Sequence, residues 1–220
     1  ANTAPVNTVP ATATVNEDTV LSFSGGNLIS VADTQGNVST VALSVTGAGA
    51  LTVTLQPGAS ISAGTNGTST FTLSGTQAAI NATLATLTYQ GALDFNGSAT
   101  LTVTSTDAGG LQDSDTCVIT VNPVNDAPIA TNLSAGETYT EDTPLDLTDI
   151  VVSDIDSANV TVTLTLSNTA AGSLNTGTSG LVSSTYNAGT GVWTASGAIA
   201  DVNVLLAGLT ALFMAIGYAL

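Results

Sequence analysis

The sequence has no lysine, arginine or histidine among its 220 residues. Without imidazole there is no Ser-His-Asp relay and no histidine ligand for a metal. Without a cationic side chain there is no phosphate clamp and no electrostatic grip on a nucleic-acid backbone, which excludes nucleic acid as a partner. Cysteine occurs once, at Cys117, so no disulfide can form within the chain. In Thr116-Cys117-Val118-Ile119-Thr120-Val121 the alternation places Cys117, Ile119 and Val121 on one strand face, and a buried, inert thiol is expected. Aromatic residues make up 4%, too few to line the sugar-stacking cleft that a carboxylate-pair glycosidase needs. No enzyme is expected.

What is present is charge of one sign. Sixteen acidic side chains give a formal charge of −16, and no salt bridge can neutralise any of them. Two like charges about 4 Å apart repel by roughly 1 kcal/mol in bulk water, and more beside a low-dielectric surface. Disorder requires low hydrophobicity as well as high net charge, and at 43% hydrophobic residues this chain should fold. Ala1 is followed by neither a basic segment nor an apolar run, so a mature or internal stretch of a protein is expected. Val204 to Leu220 is uncharged and approaches the roughly 17 to 25 residues of a spanning helix. It lacks basic flanks and contains Gly208 and Gly217, so a short helical turn followed by a core strand is expected, without membrane contact.

Strict alternation dominates, as in Val41-Leu43-Val45, Leu51-Val53-Leu55, Phe71-Leu73, Leu101-Val103 and Val162-Leu164-Leu166, with Thr, Ser or Ala between. That period of two, rich in β-branched residues and cut by Gly, Asn and Pro clusters, predicts half-buried antiparallel strands and an all-β sandwich with Greek-key connections. The pattern occurs twice. Val15-Asn16-Glu17-Asp18-Thr19 and Tyr139-Thr140-Glu141-Asp142-Thr143 open the two copies. Phe71-Thr72-Leu73-Ser74-Gly75 aligns with Trp193-Thr194-Ala195-Ser196-Gly197, and Phe71 and Trp193 are expected as core aromatics. Ile80, Leu84 and Leu87 align with Val202, Leu206 and Leu209 at helical spacing, which predicts one short helix per copy, the second with Asp201 near its start.

These boundaries give residues 1–10 as the remnant of a preceding linker, 11–122 as the first module, 123–131 as a proline-stiffened joint and 132–220 as the second module. The second is incomplete on this alignment: Ile216 and Tyr218 fall where Asp94 and Asn96 stand in the first, and no final strands follow. An unfinished sandwich presents an unpaired edge that a strand from another subunit can fill, and Ala1 to Val9 is a candidate donor.

The acids are unevenly spread. None lies between Asn37 and Leu93 or between Ser157 and Ala200. They gather at Glu17-Asp18, Asp33, Asp94, Asp107, Asp113, Asp115, Asp126, Glu141-Asp142, Asp146, Asp149, Asp154 and Asp156, a distribution that suits loops at the ends of a sandwich.

Five of these places resemble the motifs of the cadherin family, in family order and over nearly the whole chain. The likeness is greatest to the cadherin-like and VCBS-type tandem repeats of large bacterial surface adhesins. Glu17 matches the early Glu; Leu93-Asp94-Phe95-Asn96 matches the LDRE loop, with Asn96 in place of its Glu. Thr106-Asp107-Ala108-Gly109 matches the xDxG loop, and Asp154-Ile155-Asp156 is a full DxD pair. Asn125-Asp126-Ala127-Pro128 resembles the linker, one residue short and with Pro123 where its first Asp would be. The resemblance implies tandem cadherin-like (Ig-like) sandwiches with Ca2+ between modules, drawn from Glu17, Asp94, Asn125, Asp126, Asp154 and Asp156. All six offer oxygen, as calcium requires. Asp33 and Asp107 would face a preceding module, although Gln35 occupies the second acidic place there. The same acids also suit Asx-turns and soluble loops, and from the sequence both readings stand.

The function implied is a non-enzymatic, extracellular, calcium-rigidified spacer of a long bacterial surface protein. Its partners would be neighbouring modules of the same chain or identical subunits. The alternative is a self-assembling filament or sheath subunit that completes its second sandwich by donor-strand exchange.

Overall fold

Aliphatic side chains alternating with Thr and Ser give strands with one greasy and one hydroxylated face, and the fold follows from burying the greasy faces against each other. The structure, a computed structural model, describes residues 1–140 and 143–213. It divides into two units, Ala1–Val124 and Asn125–Leu220.

In chain order the first unit holds β1 (Val6–Thr8), β2 (Thr12–Asn16), β3 (Val20–Ser22), β4 (Ser30–Ala32), β5 (Val38–Thr46), β6 (Gly49–Thr52), β7 (Ala59–Gly64) and β8 (Thr70–Gly75). Helix α1 (Gln77–Leu84), β9 (Thr88–Gly91), β10 (Gly97–Asp107) and β11 (Gln112–Asn122) complete it. One sheet has the order β2-β11-β10-β5-β8-β7, with β2 parallel to β11; β3-β9-β6 forms a second sheet, and β1 pairs with β4. Val41, Leu43, Leu101 and Val103 of the large sheet are fully buried in one core with Leu51 and Tyr89 of the small one, the arrangement of an Ig-like sandwich.

The second unit repeats most of this. It holds β12 (Ile129–Thr131), β13 (Leu145–Asp146), β14 (Val151–Ser153), β15 (Asn159–Thr165), β16 (Gly172–Leu174), β17 (Thr178–Ser179), β18 (Val182–Ser183), β19 (Thr185–Asn187), β20 (Val192–Ala198), α2 (Ile199–Ala207) and β21 (Thr210–Phe213). The sheet β15-β20-β19 corresponds to β5-β8-β7, β13-β21-β16 to β3-β9-β6, and β12-β14 to β1-β4. Register confirms the match: Leu43 lies opposite Phe71 and Leu164 opposite Trp193, while Leu51 lies opposite Tyr89 and Leu174 opposite Ala211. Among the described residues, β2, β10 and β11 have no counterpart in the second unit.

Two devices recur in both units. Gly75 (φ 145°), the last residue of β8, and Gly197 (φ 148°), the last but one of β20, adopt a conformation that side chains rarely take. A Cβ on Gly75 would lie 2.3 Å from the Gly58 carbonyl oxygen, and one on Gly197 would lie 2.5 Å from a Val182 methyl. The helices that follow each carry an asparagine clamp. Asn81 accepts the Val31 N–H at 2.9 Å and donates to the Val31 carbonyl at 2.8 Å; Asn203 does the same to Val152, at 2.9 Å each way. The clamp tethers each helix to the strand beneath it. Thr76 caps α1 by accepting the Ala79 N–H, and Asp201 sits in the first turn of α2, where the positive end of the helix dipole favours it.

Several expectations hold: Phe71 and Trp193 are core aromatics, Cys117 is fully buried, and both short helices form. Burial pushes the Cys117 thiol up, in keeping with low reactivity. Others need correction. Residues 1–10 are not a linker remnant but part of the first unit, because Val6–Thr8 pairs with Ser30–Ala32 and Asn7 turns inward to the Val103 carbonyl. Within Ala1 to Val9, the residues Val6–Thr8 are thus already paired as a strand inside their own unit. In the expected joint 123–131, Ile129–Thr131 is strand β12, paired to β14. Asp113 and Asp115 lie in β11 rather than in a loop, and Asp113 accepts the Asn7 N–H at 2.7 Å. Residues 204–213 of the apolar C-terminal run divide between α2 and β21, and among the described residues no helix is long and apolar enough to cross a membrane. The expectations about Glu141, Asp142, Ile216 and Tyr218 lie outside the described residues.

Asn81→Ala and Asn203→Ala should each destabilise their unit by about 1–3 kcal/mol, the cost of leaving partly buried backbone groups unpaired. Urea unfolding measures it, and a neutral result for both would remove the clamp from the account.

Candidate metal-binding residues

The acids of the first unit fall into two groups separated by the length of β10. The first surrounds the end of β2. Glu17 follows that strand, its N–H donates to the Asn122 carbonyl at 2.9 Å, and its side chain is only 4% exposed. One carboxylate oxygen accepts the Val124 N–H at 2.6 Å and the other accepts the Asn96 amide at 3.2 Å. Glu17 therefore holds the far end of β11 and the loop before β10 together. Asp18 and Asp94 both stand at φ 58°, in the left-handed region that Asp tolerates better than most residues. The Asp94 N–H donates to the Asp18 carboxylate at 3.1 Å, which brings two acids side by side with a single N–H between them.

The second group lies at the other end of β10. Asp107 is buried, with one oxygen accepting the Gly109 and Leu111 N–H groups at 2.8 and 2.9 Å and the other accepting the Asn2 amide at 2.6 Å. Burial pushes the Asp107 carboxyl up, but the donors from Leu111, Asn2, Gly109 and Gly110 together outweigh it and hold it below its ordinary value. Asp33 accepts the Gln35 N–H at 2.7 Å through one oxygen, while its other oxygen is buried with no hydrogen-bond partner among the described residues. Gln35 is bonded to the Thr3 hydroxyl at 2.8 Å.

In the second unit Asp154 occupies the place that Asp33 holds in the first, directly after the clamped strand. It accepts the Asp156 and Ser157 N–H groups at 2.9 and 2.7 Å, an Asx-turn of the kind Asp33 makes with Gln35. Asp156 in turn accepts the Asp126 N–H at 2.6 Å, and Asn125 donates to the Asp126 carbonyl at 2.8 Å. Glu137 accepts the Thr148 N–H and hydroxyl, and these two bonds hold its carboxyl below the ordinary value.

Of the six residues expected to bind metal, Glu17 and Asp94 thus lie at one end of the first unit. Asn125, Asp126, Asp154 and Asp156 form one connected set in the second. Asp18 was not among the six, and it is the direct neighbour of Asp94. The only signal for it in the sequence was the doubled acid Glu17-Asp18, because a positive φ at two aspartates cannot be read from residue type. Asn2 was missed for the opposite reason: its partner Asp107 is 105 residues away.

No protein-family model matches the chain, and no curated protein matches it. Among solved structures, the C-terminal domain of the Streptococcus pyogenes antigen I/II-family protein AspA is similar at 10% identity and TM-score 0.29, covering 97% of this chain and 92% of that one. The C-terminal domain of the Streptococcus agalactiae AgI/II polypeptide BspA aligns at 10% identity and TM-score 0.25, covering 95% of this chain and 88% of that one. Overlaps of this size carry no inference about what the chain does.

The lowered carboxyl of Asp107 makes a pH prediction. Its contribution to stability is complete above the ordinary carboxylate pKa of about 3.9 and is lost as pH falls through the lowered folded value. Urea midpoints measured from pH 5 downward should drop along an acid limb that is shallower in Asp107→Asn. An unchanged limb in the variant would show that Asp107 is not among the groups responsible.

Proposed function

We propose that the chain is a non-enzymatic, extracellular spacer: tandem cadherin-like modules of a bacterial surface protein, stiffened by calcium. The observation that carries this reading is Glu17, a buried carboxylate answered only by neutral donors, at the same end of its unit as the adjacent acids Asp18 and Asp94. A chain without cationic side chains has no internal means of neutralising such a group. A hard divalent ion supplies that charge from outside.

The donor set fits calcium. Glu17, Asp94, Asn125, Asp126, Asp154 and Asp156 offer carboxylate and amide oxygens, without the sulfur or imidazole nitrogen that would favour zinc or copper. Backbone N–H groups hold the Glu17, Asp154 and Asp156 carboxylates in place, which lowers the entropy lost on coordination. Calcium takes about six to eight oxygens, and extracellular modules bind it at roughly 0.1 to 1 mM, so uptake would occur outside the cell and not within it. The repeat supports a structural role as well: each copy spends its residues on the same strand registers, the same clamp and the same glycine, with Thr and Ser on the outer faces.

The test is calorimetric titration of the full chain with calcium, followed by small-angle scattering in calcium and in chelator. Binding near millimolar or tighter is expected, weakened on the order of tenfold or more by Asp94→Asn, together with a change in the scattering profile on chelation. Absence of calcium binding would overturn the metal reading. Binding with an unchanged profile would overturn the stiffening.

A further inference from the structure

Asparagine followed by glycine is the pairing in which a side-chain amide is most open to attack by the backbone, because the next residue has no Cβ to block the approach. It occurs twice in the chain, at Asn66-Gly67 and Asn96-Gly97. Both pairs lie in the first unit, and all four residues are exposed. Hydrogen bonding separates them.

Asn66 is held at both ends of its amide. Its Oδ1 accepts the Val53 N–H at 2.9 Å and its Nδ2 donates to the Val53 carbonyl at 2.8 Å, the same clamp that Asn81 and Asn203 make. The Gly67 N–H donates to the Leu51 carbonyl at 3.0 Å. Amide and nucleophile are both engaged, so three hydrogen bonds must open before they can meet. Asn96 makes a single side-chain bond, from Nδ2 to the Glu17 carboxylate at 3.2 Å, and its Oδ1 accepts none among the described residues. Gly97 is the first residue of β10, where a ladder frays before its middle does. It stands at φ 131°, with nothing within 4 Å of the position a Cβ would take.

We propose that Asn96 is a site of spontaneous deamidation, which replaces the neutral partner of Glu17 with a second carboxylate. The Gly97 backbone nitrogen gives its proton to solvent and attacks Asn96 Cγ. The new N–Cγ bond forms as the Cγ–Nδ2 bond breaks, and Nδ2 leaves as ammonia with a proton from water. Water then opens the cyclic imide at either carbonyl, giving aspartate or isoaspartate. The sum is one water consumed and one ammonia released, with no change of oxidation state.

The consequence is electrostatic. Glu17 is 4% exposed, and the chain has no cationic side chain to answer an added charge. Deamidation removes one of the donors to Glu17 and sets a like charge beside it. Both changes destabilise the unit, the first by leaving a buried acceptor less satisfied and the second by repulsion near a low-dielectric interior. The inference is independent of calcium, and its test is run in chelator.

The full chain is incubated at mildly alkaline pH and digested with pepsin in acid, where further deamidation is slow. Mass spectrometry then follows amide-to-acid conversion in the peptides that contain Asn66 and Asn96. In the folded chain Asn96 should convert faster by on the order of tenfold or more, the effect of two fewer hydrogen bonds to open. In unfolding urea the two rates should approach each other, since the fold makes the difference. Conversion at Asn96 no faster than at Asn66 in the folded chain would overturn the site. So would a gap between them that persists undiminished in urea. Asn96→Asp should unfold at lower urea than Asn96→Ala, which removes the same donor without adding charge. Coincident midpoints for these two variants would overturn the electrostatic consequence.

Discussion

Every carboxylate in this protein must be satisfied without a cationic side chain. That single constraint accounts for the placing of Glu17, Asp107 and Asp154, though not for Asp113 and Asp115, which lie within β11. A folded sheet offers few spare N–H groups, because the ladder uses them, so acids concentrate where the backbone turns and donors come free. Asp107 takes two N–H groups from the turn after β10, Asp154 takes two from the turn after β14, and Glu17 takes one from the chain leaving β11. Each such bond is charge-assisted and stronger than an ordinary amide pair. None of them removes the negative charge. The protein is left with oriented carboxylates and a net charge of −16, which is the physical basis for proposing that a divalent cation completes it.

The repeated frame shows a second principle, that burial belongs to pairs of strands rather than to single ones. The sequences of β5 and β15 are alike in period and composition, and both pair with their neighbour hairpin in the same register. One is core on its inner face and the other is half-open, because β10 covers the first and no described strand covers the second. The asparagine clamp and the glycine at the strand-to-helix step are the opposite case. They are local, they depend only on elements present in both copies, and they recur in both.

This distinction also marks what could be read from the sequence. The all-β class, the tandem repeat, both helices and the core places of Phe71, Trp193 and Cys117 were legible because period and composition encode them directly. The role of the first residues was not. In β1 the aliphatic Val6 points outward and the polar Asn7 inward, the reverse of the usual pattern, so hydropathy gave no strand there. The joint was misjudged because three residues of strand, Ile129–Thr131, are too few to show a period. For the acids, residue type suggested oxygen ligands, but which acids are neighbours depends on loops far apart in sequence. Asp18 beside Asp94 is the instance that pattern reading overlooked.

The most direct measurement of the central claim compares urea unfolding in calcium chloride with unfolding in sodium chloride at equal ionic strength. Simple screening of self-repulsion would act alike in both salts, whereas a bound ion stabilises the folded state in proportion to its occupancy. Low-millimolar calcium should raise the unfolding midpoint well above the matched sodium value. Coincident midpoints across the calcium range would contradict it.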